Sequence, residues 1–134
     1  MKHAITFPYL PAPGAGAVLP LLPLVLENQS NRLEVHGLVD SGATVNVLPH
    51  SLGLQLGFVW TEQAHRLELG GILARHEARG VLLNATVPGF PPVRLAFAWS
   101  AGDDVRLIPG QTNFFLVCDV TFRRADLAFD LRLR

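Results

Sequence analysis

Turn formers divide this chain into short pieces, and that limits it to a fold built of small elements. Ten prolines and twelve glycines are spread over 134 residues. Pro8, Pro11, Pro13, Pro20 and Pro23 crowd the beginning, which predicts an extended arm over residues 1–20 rather than a helix. From Leu21 the pattern becomes that of strands. The polar break Glu27–Asn31 predicts a hairpin turn, after which Leu33, Val35, Leu38 and Val39 carry a returning strand to Asp40. Pro49 opens and Gly57 closes a short helical stretch. "HRLELGG" alternates, with Leu67 and Leu69 opposite Arg66 and Glu68, and ends in a Gly70-Gly71 turn. "VLLNATV" and "VRLAFAW" predict strands around a "PGFPP" turn, and "SAGDD" a loop. "VRLI" predicts a short strand stopped by Pro109-Gly110, and "QTNFFLVC" a helix of about two turns. "DVTFRR" and "AFDLRLR" predict a closing hairpin that turns at Ala125-Asp126. The sum is about eight short strands and at most two short helices in one mostly β domain, sandwich-like or barrel-like.

Composition narrows the function classes. Hydrophobic residues make up 49% and charged residues 16%, which suits a globular chain with a core. The formal net charge is zero, with no basic block for nucleic acid and no acidic tail. Cys118 is the single cysteine, so no disulfide forms within the chain; it reads as a buried small hydrophobe. The apolar run over 17–26 is too short to span a bilayer as a helix and carries Pro20 and Pro23. It lacks the pattern of a cleaved leader, so a soluble, cytoplasmic protein is expected. His36, His50, His65 and His76 lack the spacing of zinc ligands, and no metal or organic cofactor is expected.

The unusual stretch is "HGLVDSGATVNVLPH", residues 36–50. Asp-Ser-Gly is ordinary turn chemistry, since Asp and Ser bond to nearby backbone and Gly accepts a positive φ. A surface turn seldom lies between two apolar runs, however. An acid held at the end of a buried strand, beside a glycine that admits another backbone, suits a catalytic role better.

"LVDSGATVNVLP" resembles the active-site loop of retropepsin-like aspartic proteases. "LELGGILARHEARG" is similar to the flap hairpin of that family, and "VRLIPGQTNFFLVCDVTF" to its later glycine-bearing strand and short helix, which pack beside the catalytic loop. The similarity runs in one order over residues 21–134. It implies a single-lobe, closed β-barrel with a flap and one or two short helices. It implies that Asp40 is the catalytic acid and base, within an active-site loop of Ser41, Gly42, Ala43 and Thr44. Ser41 would make a hydroxyl contact across a two-fold axis, and Gly42 and Ala43 would line the cleft. Gly70, Gly71 and Ile72 would belong to the flap. Ile108 and Gly110 would form the strand behind the catalytic loop.

Peptide hydrolysis needs one group to activate water and another to protonate the departing amine. Two adjacent carboxylates that share one proton fill both roles. No second Asp-Ser/Thr-Gly occurs in the chain, so the expectation is a symmetric homodimer in which each subunit contributes one Asp40. The N-terminal arm and the last strand are candidates for its interface, or equally are ordinary sheet edges packed within the same chain. The substrate would be an extended peptide. Two departures stand out. Pro109 replaces a bulky aliphatic residue and removes a backbone donor, so one ladder bond is expected to differ there, and the flap segment is less glycine-rich than a highly mobile one. The alternative expectation is a catalytically weak or inactive peptide-binding module of the same fold, taking a peptide by strand addition.

Overall fold

The computed structural model describes residues 4–14, 16–68 and 76–134. The N-terminal segment is built of short strands. It forms β1 (Ala4–Pro8) and then a two-rung ladder of β2 (Leu10–Pro11) with β3 (Val18–Leu19), turning back on itself between β2 and β3. β4 (Leu21–Asn28) and β5 (Asn31–Leu38) form the expected antiparallel hairpin, closed by Gln29 and Ser30 with Gln29 at φ 54°. Leu22, Leu24 and Leu26 point into the core, while Pro23 and Val25 between them are only half buried.

β6 (Val47–Leu48) follows the loop at Asp40 and leads to α1 (His50–Gln55). Pro49 stands just before α1 with φ −60° and ψ 151°, and Gly57 ends the segment at φ 84°. β7 (Arg66–Leu67) comes next, and β8 (Ala78–Thr86) and β9 (Val93–Ser100) form the second predicted hairpin. α2 (Phe114–Val117), β10 (Cys118–Arg123) and β11 (Ala128–Leu133) close the chain.

Two main sheets result. The larger has the order β5-β4-β8-β9-β6, with β7 against β8; the smaller has the order β1-β11-β10. The arm thus pairs with the chain's own last strand, Ala4 opposite Arg132 and Phe7 opposite Phe129. One core lies between them, with Leu22, Leu26, Leu83, Phe97, Trp99 and Phe129 almost fully buried. Each such side chain contributes about 1.5–3 kcal/mol through burial. Among the described residues, no helix is long and apolar enough to cross a membrane.

Three expectations need correction. Among the described residues no sheet closes into a barrel. The edges β5 and β6 approach each other through residues 107–109. Val47 and Ile108 exchange bonds on one side, while on the other Leu38 N donates to Leu107 O at 2.8 Å and Asp40 N to Pro109 O at 3.3 Å. A parallel ladder would add a bond from residue 109 N–H to the Leu38 carbonyl, and proline has no N–H. Nor is "VRLI" a strand: Ile108 makes a single bridge, to Val47, and the three residues before it lie in no ladder. The predicted two-turn helix shrinks to the four residues of α2, because Asn113 lies at φ 74° before it and Cys118 is already extended into β10. The flap residues Gly70, Gly71 and Ile72 lie outside the described residues.

Candidate active site

Asp40 stands two residues beyond the end of β5, where Val39 N still bonds to Pro20 O at 3.1 Å. It is half buried. Its Oδ1 accepts the Gly42 N–H at 2.8 Å, and its carbonyl accepts Ala43 N–H at 3.2 Å. This turn holds the carboxylate against its own loop. Ser41 and Gly42 are exposed, as is Thr44. Ala43 turns inward and packs with Val47 and Ile108 in a small apolar cluster, beside Val45 and Val105.

A second segment runs alongside the loop. Gln111 N donates to Ala43 O at 2.9 Å and Thr112 N to Thr44 O at 2.8 Å. The Gln111 side-chain amide donates to Ser41 O. Gly110 passes so close that a Cβ there would lie 2.3 Å from Val45 O. The segment can approach because position 110 carries no side chain.

Asn46 and Gln111 escaped the reading of the sequence. Asn46 is wholly buried, donating from Nδ2 to Ala96 O at 2.9 Å and accepting Gly110 N–H at Oδ1 at 2.7 Å. Its signal was available: a lone amide inside the apolar run "TVNVLP", where an unpaired polar group would be costly. Gln111 follows Gly110 in an exposed loop and carries no such signal.

The other five aspartates of the sequence are engaged elsewhere. Asp103 accepts Ser51 N–H at 2.8 Å at the start of α1, which holds its carboxyl below the usual carboxylate value. Asp104 pairs with His76, Asp119 with Arg134, and Asp126 and Asp130 with Arg123. His50 lies flat against Trp99, with ring centroids 5.4 Å apart, and its Nδ1 is 3.1 Å from Ser100 O. Among the described residues, no three His, Cys, Asp or Glu side chains group as metal ligands. Each chain therefore offers one carboxylate on a stiffened, glycine-bearing loop.

No family model matches this sequence. No curated protein matches it. Among solved structures, a retropepsin-like aspartic protease from Rickettsia conorii superposes with a TM-score of 0.73 at 13% sequence identity, over 99% of this chain and 92% of that one. The fold of this chain is therefore similar to that of a retropepsin-like aspartic protease.

Proposed function

We propose that the protein is an aspartic endopeptidase that works as a homodimer, with one Asp40 from each subunit forming the catalytic pair. The observation that carries this reading is the Asp40 loop itself. Its carboxylate is pre-set by Gly42 N–H, and its backbone is bonded along one side by residues 109–112. Such a loop supplies a carboxylate whose position costs no reorganisation when substrate arrives. Brought together across a two-fold axis, two such groups share one proton and titrate as a pair. One takes a proton from water, which attacks the peptide carbonyl; the other gives its proton to the leaving nitrogen. The exposed Ser41 is available for a contact between the two loops, and Gly42 leaves room for an extended peptide backbone. Gly70, Gly71 and Ile72 would cover that peptide. No metal or organic cofactor enters this scheme.

The edges of the smaller sheet are the candidates for the dimer contact. β11 is already flanked by β1 and β10, so those two are the edges of the smaller sheet. Strand edges with unpaired backbone groups are ready to take a second copy.

The test is cleavage of a peptide library read by mass spectrometry, for wild type and Asp40→Asn, at high protein concentration and from acidic to neutral pH. Cleavage between apolar residues that vanishes in the variant supports the assignment. A protein that stays monomeric at every concentration rules out the shared pair. A folded dimer that binds peptides without cutting them is the binding module instead.

A further inference from the structure

Asn46 and Ser100 are the buried polar side chains among the described residues, and Asn46 is completely shielded from solvent. An amide in that position is destabilising unless both its ends are bonded. Here both are. Oδ1 takes the Gly110 N–H at 2.7 Å, Nδ2 gives to Ala96 O at 2.9 Å, and the main-chain carbonyl takes Ala98 N–H at 2.8 Å. One residue thus ties the Asp40 loop to β9 and to the segment behind it. Gly110 is packed against the loop closely enough that a Cβ there would meet Val45 O. Its neighbours complete the hold on the loop: Pro109 O accepts Asp40 N–H and Gln111 N–H bonds to Ala43 O.

We infer that Asn46 is the positioning residue of the Asp40 loop. It acts through Gly110, setting the segment 109–112 whose bonds in turn set Asp40, Ser41 and Ala43. It is wholly buried and presents no atom to the surface. Its catalytic consequence rests on the protease reading above; its effect on the loop does not.

Asn46→Asp tests the role of the amide's donor and acceptor, because its shape is nearly that of asparagine. Protonated, its hydroxyl donates toward Ala96 O and its carbonyl accepts from Gly110 N–H. Ionised, it has no donor and sets a negative oxygen against Ala96 O. Wild type, Asn46→Asp and Asn46→Ala are compared by circular dichroism, by amide hydrogen exchange at Gly42 and Gly110, and by peptide cleavage. Gly42 is the informative probe, because its N–H bonds to Asp40 and not to Asn46.

The expected result is a folded Asn46→Asp whose Gly42 and Gly110 amides exchange faster than those of wild type at neutral pH. Its kcat falls about tenfold or more with KM little changed. Both deficits close as the pH is lowered, while Asn46→Ala shows them at every pH. Folded variants with wild-type exchange at Gly42 and wild-type kcat overturn the inference. So does unfolding of both variants at every pH, which makes the amide a requirement of the whole fold. If wild type does not cleave at all, the protease reading fails, and the exchange at Gly42 alone decides the role of Asn46.

Discussion

The Pro109 ring occupies the space that Gly37 leaves open: a Cβ on Gly37 would lie 2.9 Å from Pro109 Cδ and 3.2 Å from a Leu24 methyl. The proline that interrupts the ladder beside β5 is thus packed against a glycine within β5 itself. Both residues are buried. Gly37→Ala is expected to destabilise the fold by about 1–3 kcal/mol, since a tightly packed core tolerates added volume poorly. Urea denaturation reads this as a lower midpoint with unchanged slope. Pro109→Ala in the same chain should recover part of the loss, and simple additivity of the two changes would argue against the contact.

Gly110→Ala is expected to cost more. Its Cβ would meet Val45 O at 2.3 Å and Val45 C at 2.7 Å, and these are backbone atoms that cannot rotate away. The segment must shift, breaking the bonds that hold the Asp40 loop. A loss of about 3 kcal/mol is expected, at the upper end for overpacking. Thermal unfolding measures it, and a variant as stable as wild type would show that the segment has room to move.

The smaller sheet is held in part by charge. Asp130 accepts two bonds from Arg123, both at 3.0 Å, and one from Thr6 at 2.7 Å. These partners, Arg123 first, hold its carboxyl below the usual carboxylate value. The folded state therefore binds this proton less readily than the unfolded chain does. The resulting stability is present above the ordinary carboxylate range and is lost as the pH falls through the lowered native value. Wild type should exceed Asp130→Asn in melting temperature at neutral pH, and the gap should close in acid and narrow in high salt. A gap independent of pH would assign the effect to hydrogen bonding alone.

Cys118 is 3% exposed, and burial, with a smaller push from the Asp119 charge, raises its thiol to about 12. Alkylation requires the thiolate. Iodoacetamide at pH 8 should leave the native protein almost unlabelled and label it fully once unfolded, as intact mass would record. Rapid labelling under native conditions would mean that β10 opens easily, together with the sheet that shields it.

Much of the local structure was determined by the sequence alone. The turns at Gln29-Ser30, Pro88-Gly89 and 124–126 follow from residues within a few positions of each other, and so do the strands they join. The Asp40 loop was visible for the same reason, because an acid, a small hydroxyl and a glycine in succession between apolar runs make an unusual local pattern. Tertiary structure alone decided the partners. Asn46 reaches Gly110 across 64 positions, Gln111 reaches Ser41 across 70, and Thr6 reaches Asp130 across 124. The missing donor at Pro109 was legible, but which two strands it would leave unjoined emerged only when β5 and β6 were brought to either side of it. Propensity and turn chemistry act over a few residues, whereas the pairing of distant backbone groups is set by which apolar faces bury one another and which buried donors must then find acceptors.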